Sequence, residues 1–136
     1  MFSDVNMGKE PTACPVMLKP NERLASVRKE WHVRKQNGQY NVWIVEDRYF
    51  NHILIGQKLS SIVNGIKAIA GDESVSVAGM YHTIHRSGDR TNGYLHHRWK
   101  VQNYSLEEAP AIFNSMRSKY DNSTVIGEKG AYTICL

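Results

Sequence analysis

The 136-residue chain has no apolar run approaching the ~18 residues needed to cross a bilayer, so no membrane partner is expected. Its opening residues, MFSDVNMGKEPTACPVMLKP, lack the basic segment and following apolar stretch of a secretory signal. A cytoplasmic location is therefore expected, the host cytoplasm if the chain is virus-encoded. Cysteine is scarce: Cys14 and Cys135 lie near opposite ends with no C-x-x-C spacing, which excludes a metal knuckle or a disulfide framework. Free thiols are the expectation, with a bridge joining the two ends as the alternative. The phosphate-cradling G-x-x-x-x-G-K-[ST], the nucleophile elbow G-x-S-x-G and the zinc-protease H-E-x-x-H are all absent.

What is present fits one domain. Hydrophobic residues make up 41% and charged residues 22%, enough apolar content for a packed core and too little charge for global disorder. Residues 1–20 carry Pro11, Pro15 and Pro20 with no periodicity and read as an extended N-terminal arm, leaving 21–136 as a single α+β domain. In EWHVRKQNGQYNVWIVED, Asn37-Gly38 suits a type I′ hairpin turn, which would pair Val33 with Val42 and Trp31 with Ile44. One face of that hairpin is apolar; the other carries His32, Arg34, Asn41 and Trp43. Between Tyr49 and Ala70, Ile55, Leu59, Ile62, Val63, Ile66 and Ile69 recur at helical spacing, and Gly71 stands at the expected C-cap. The helix begins either near residue 49 or, after a short buried strand, near Gln57.

The segment GMYHTIHRSGDRTNGYLHHRWKV, preceded by SVSVA, reads as a second hairpin turning at SGDRTNG, with a bulge near Ala78-Gly79. Strand parity assigns Met80, His82, Ile84, Leu95, His97, Trp99 and Val101 to an apolar face. Tyr81, Thr83, His85, Tyr94, His96, Arg98 and Lys100 fall on a basic, aromatic face. Ser105-Leu-Glu-Glu108 has capping-box spacing, Pro110 offers a second helix start, and Ala109, Ile112, Phe113, Met116 and Tyr120 form an apolar stripe. TVIGEKGAYTICL reads as a tight hairpin or two short strands. The predicted fold is α+β: an antiparallel sheet of about three hairpins in the order β-β-α-β-β-α-β-β, backed by two helices.

Net charge is +4, and it is segregated along the chain: residues 23–36 net +4 and residues 74–104 net +3. That pattern favours an anionic partner. On both hairpins aromatic rings alternate with cations, and rings stack on unpaired bases while Arg and Lys neutralise phosphate. The leading expectation is a non-enzymatic protein that binds nucleic acid, DNA or RNA. Its contact residues would be Trp43, Tyr94, His96, Arg98 and Lys100, with Arg34, Arg86 and Arg90 supplying charge.

The alternative is a protein-binding inhibitor or adaptor, such as a small phage-encoded protein blocking a host factor, because Trp, Tyr and Arg also dominate protein interfaces. A homodimer is compatible with either. A second alternative is enzymatic. His85-Arg-Ser87 matches one H-x-S of a two-histidine phosphodiesterase without a second copy, and His96-His97, Asn103 and Asn114 loosely match a metal-dependent nuclease. His96 and His97 would point to opposite faces of a strand and could not both bind one ion unless the strand breaks; no metal, cofactor or catalytic residue is expected.

Overall fold

The computed structural model describes residues 15–27, 42–50, 52–89, 91–120, 122–126 and 132–135. In chain order the elements are β1 (Val16–Met17), β2 (Arg23–Val27), β3 (Val42–Asp47), β4 (His52–Gly56), α1 (Leu59–Ala70) and α2 (Val77–Ser87). There follow β5 (Gly93–Leu95), β6 (Trp99–Tyr104), α3 (Ala109–Arg117), β7 (Asn122–Val125) and β8 (Tyr132–Cys135). Six strands form one sheet in the order β1-β7-β4-β3-β6-β5, and β2 pairs with β8 in a separate ribbon. The chain is of the α+β class, as its alternation of hairpins and helices predicts. Its large sheet is mixed rather than wholly antiparallel, because β4 and β7 run parallel.

Strand β3 lies at the centre, and its sequence VWIVED is buried almost throughout because both edges and both faces are covered. Ile44 pairs with Ile55 of β4 on one side and Gln102 of β6 on the other. Both edges of β3 are thus occupied at Ile44; Trp31, expected to pair with it across the Asn37-Gly38 turn, lies outside the described residues. The turn itself lies outside the described residues, as do His32 and Arg34.

Two cores flank the sheet. On one face Val45, Leu54 and Val101 pack with Ile62, Val63 and Ile66 of α1 and Met80 of α2. On the other, Val42, Ile44, Ile53 and Ile55 meet Ala109 and Phe113 of α3, with Leu24 and Val27 of β2. Each fully buried Ile or Leu contributes ~1.5–3 kcal/mol relative to exposure. This second face also holds a polar network. Glu46, 6% exposed, accepts from Tyr120 Oη and Gln102 Nε2, both at 2.7 Å, and Gln102 Oε1 accepts from Tyr104 Oη at 2.7 Å. Burial, with the bond it donates to Glu46, pushes the Tyr120 phenol up to about 12.

Helix α3 also straps the segment that leads into β2. Arg117 donates to the carbonyls of Leu18, Lys19 and Glu22, and burial lowers its pKa from the ordinary value. Asn114 brackets Leu24, accepting from its N–H at 2.9 Å and donating to its carbonyl at 2.7 Å. The residues expected as an N-terminal arm are therefore partly integrated: β1 pairs with β7, and Leu18 is buried.

Local sequence explains the helix boundaries. Helix α1 follows the buried strand β4 and ends at Gly71, whose φ of 69° is left-handed. Pro110 sits in the first turn of α3, and the Ser105–Glu108 box closes just before it: Ser105 N–H donates to Glu108 Oε1 at 3.2 Å, and Glu108 N–H to Ser105 Oγ at 3.3 Å. Of the two readings of the C-terminal stretch, the structure has two short strands and not a hairpin, because β7 and β8 join different sheets.

Residues 77–87 differ most from expectation. They form helix α2, not the first arm of a hairpin. Ser76 caps its start by accepting from Gly79 N–H at 3.0 Å, and Gly88, with φ 70°, ends it. Met80, Thr83 and Ile84 face inward, while Tyr81, His82, His85 and Arg86 are exposed. The alternation of Met80, His82 and Ile84 mimicked a strand, but the tertiary packing follows helical spacing. His82 and His97 consequently do not share an apolar face.

Helix α2 seats on β5 at Gly93, where an added Cβ would stand 2.5 Å from Thr83 Oγ1 and 3.0 Å from Thr83 Cβ. Thr83 is stiff and buried, and its Oγ1 is held by a 2.8 Å bond to the Met80 carbonyl, so it has little room to yield. Gly93→Ala is expected to destabilise the fold by about 1–3 kcal/mol in denaturant unfolding. Thr83→Ala in the same chain, which removes the 2.5 Å contact and leaves those to Thr83 Cβ at 3.0 Å and Ile84 Cδ1 at 3.1 Å, should recover part of that loss, and additive effects in the double variant would contradict this close approach.

Candidate functional site

Two turns meet at one end of the large sheet. The first, Arg48-Tyr49-Phe50, leaves β3; the second, His96-His97-Arg98, joins β5 to β6. Asp47 pairs with Trp99 across the β3–β6 ladder, and Arg48 N–H donates to the Arg98 carbonyl at 3.0 Å, so the turns lie side by side.

Arg98 binds this end together. Its Nε donates to Asp47 Oδ1 at 2.8 Å and its Nη2 to Asp47 Oδ2 at 3.0 Å, a bidentate pair that only a planar guanidinium makes. Its Nη1 stands 3.7 Å from Asp72 Oδ2. Asp47 is fully buried and also accepts from Tyr49 N–H at 3.0 Å, with His52 Nδ1 at 3.3 Å. Burial alone would push the Asp47 carboxyl up, but the bonds from Arg98, Tyr49 and His52, with the Arg98 charge, hold it below its ordinary value. Arg98 is held above its ordinary value, first by its bond to Asp47, against the opposing effect of burial. Asp72, on the α1–α2 connection, is lowered to about 2, chiefly by its bond from Ser74; it also accepts the Trp99 indole N–H at 2.9 Å.

The same guanidinium organises rings. Its Cζ lies 4.3 Å from the Trp99 ring centroid, 4.9 Å from Phe50 and 5.3 Å from Tyr49. Trp99 is buried, whereas Tyr49 and Phe50 are 62% and 61% exposed. A third exposed ring, Tyr94, carries Arg48 Cζ at 5.1 Å and Lys100 Nζ at 6.0 Å from its centroid. Arg48 Nη1 also donates to the His97 carbonyl at 3.3 Å. The result is a tip of three exposed rings interleaved with three cations, cation–π contacts setting each ring's orientation.

The residues expected to make contact distribute unevenly over this geometry. Tyr94, His96, Arg98 and Lys100 come together at the tip, but Arg98 is a positioning residue committed to Asp47, not a free charge. Trp43 is half-buried against the core beneath α1, so its expected outward face is corrected: helices cover that face. Arg86 is exposed but distant in the fold. Gly79 approaches Leu95 while Thr83 approaches Gly93, so α2 runs against β5 with its Arg86 end directed away from the tip. Arg34 and Arg90 lie outside the described residues.

Sequence reasoning missed Arg48, Tyr49 and Phe50. The available signal was a polar turn, Asp47-Arg-Tyr-Phe-Asn51, bearing two adjacent rings between two strands. The features suggesting a nuclease separate as well, because Asn114 is occupied by Leu24 and Asn103 Nδ2 by the Val42 carbonyl. Among the described residues no three His, Cys, Asp or Glu side chains converge to hold a metal. Within the same residues no helix is long and apolar enough to cross a membrane. Comparison with protein-family models, curated proteins and solved structures finds no match to the chain.

Arg98→Ala would leave Asp47 buried without its partner and is expected to cost about 3–5 kcal/mol in denaturant unfolding. Arg98→Lys, which retains charge but loses the fork, should fall between. Both carboxyls are depressed in the fold, so their stabilisation is present above the ordinary value of 3.8. For Asp72 it disappears as pH falls from 3.8 to about 2. Asp72→Asn should flatten the acid limb of the stability profile in that window, and an unchanged limb would contradict this assignment.

Proposed function

We infer that the protein binds nucleic acid, preferentially an unpaired strand, through the tip formed by the 48–50 and 96–98 turns with Tyr94 and Lys100. The observation carrying this reading is the grouping of Tyr49, Phe50 and Tyr94 as exposed rings, each within 5.3 Å of a guanidinium carbon. Flat rings held outward stack on bases regardless of sequence, at ~1–3 kcal/mol per base. Arg48 and Lys100 supply the charge that follows a phosphate backbone.

Helix α2 favours a second reading, in which the partner is a duplex. It follows α1 after the 71–76 connection and exposes Tyr81, His82, His85 and Arg86 along one side, with Tyr81 stacked on His85 at 5.9 Å. A helix with such a side fits a major groove.

Fluorescence anisotropy with labelled single- and double-stranded oligonucleotides, measured across a salt series, distinguishes these readings. Binding through the tip predicts a preference for single strands and a log–log salt slope of about −1.4, for two neutralised phosphates. Phe50→Ala should weaken binding by ~1–3 kcal/mol with the slope unchanged, whereas Arg48→Ala should reduce the slope by about 0.7. Duplex preference abolished by Tyr81→Ala and Arg86→Ala, but not by Phe50→Ala, would shift the interface to α2. No binding at low salt, or affinity indifferent to salt, overturns the nucleic-acid reading.

A further inference from the structure

The β5–β6 turn is built against backbone preference. His96 and His97 both have positive φ, 56° and 59°, and Arg98 N–H donates to the Leu95 carbonyl at 3.1 Å. Two consecutive left-handed residues closed by that bond describe a type I′ turn, whose unstrained residues are Asn and Gly. A side chain disfavours this region because Cβ crowds the following carbonyl oxygen, although His tolerates it better than most.

Elsewhere among the described residues the chain meets left-handed geometry with glycine, at Gly71 and Gly88, where the requirement is only to end a helix. At the tip it uses two imidazoles, both exposed. The backbone here is also restrained from outside, through Arg48 Nη1 to the His97 carbonyl and Arg48 N–H to the Arg98 carbonyl. Retained strain at an exposed turn, over-determined by its surroundings, points to side chains kept for contact.

We propose that His96 and His97 together contact the bound nucleic-acid strand, and that the left-handed turn persists to present both rings beside Tyr94, Arg48 and Lys100. This rests on the nucleic-acid reading of the tip. Each imidazole offers an N–H donor for a phosphate oxygen and a flat face for a base. The glycine that would relax the turn would remove one of those rings.

The test pairs stability with binding in the 136-residue chain, using the double variant His96→Asn with His97→Gly and a fluorescein-labelled single-stranded oligonucleotide as probe. The unfolding midpoint should rise by about 3–6 °C as the strain is relieved. The affinity should fall at least about tenfold. A connector without a binding role would show the rise in midpoint with affinity unchanged, which overturns the proposal. A fall in midpoint would mean that the rings hold the fold, and overturns it equally. Failure of the unaltered chain to bind the oligonucleotide would instead overturn the nucleic-acid reading itself.

Discussion

The bidentate pair between Arg98 and the fully buried Asp47 is the constraint on which the tip of this molecule depends. A carboxylate at the end of a central strand is costly to desolvate, and only a partner of matched geometry offsets the cost. Arg98 meets that requirement from the neighbouring turn, fixing how far β6 extends along β3 and where the two turns meet. Because its plane is locked by Asp47 and Asp72, the guanidinium becomes a rigid surface for Trp99, Phe50 and Tyr49. One ion pair thus connects the hydrophobic interior to the orientation of exposed rings.

The second constraint is that helices occupy both faces of the sheet. Strand parity separates side chains into two sets, but it yields a solvent face only where one side of the sheet is bare. Here Trp43 and Val45 meet the α1–α2 layer, while Ile44 and Glu46 lie on the α3 side. No central strand can present a bare outer face, so exposed rings and cations are left to the strand ends and turns. Those ends are turns, where rings and cations remain solvated and their number is set by the short loops.

The sequence carried the α+β class, the α1 stripe with its Gly71 cap, the α3 stripe and the division of the C-terminal residues into two strands. It misled at residues 77–87, where Met80, His82 and Ile84 alternate like a strand while Met80, Thr83 and Ile84 are spaced like a helix. Ser76 and Gly88 were the deciding signals, one a cap and the other a stop, and both resemble ordinary turn residues when read alone. Pairing of β3 was illegible for a different reason. The Asn37-Gly38 signal speaks only for local pairing, whereas the partners β4 and β6 are specified by core packing across the chain. At the tip, Tyr94, His96, Arg98 and Lys100 were legible as types of residue. Arg48, Tyr49 and Phe50 were not, because their role depends on a turn distant in sequence lying beside them.

Charge gives the clearest case of chain order misrepresenting space. The segment 74–104 nets +3 along the sequence, yet Arg98 within it is neutralised by Asp47 and Asp72, which lie outside the segment. Arg117 is likewise drawn inward, its donors occupied by the carbonyls of Leu18, Lys19 and Glu22. Two of the chain's cations therefore hold the fold together, and a count of cations along the chain overstates those the surface offers an anion. At the tip the field derives mainly from Arg48 and Lys100, both near the Tyr94 ring. With so few free charges, electrostatics alone gives only weak, salt-sensitive attraction. In the proposed binding of a strand, affinity would then come from ring contact, so the orientation imposed by Arg98 would matter more than its charge.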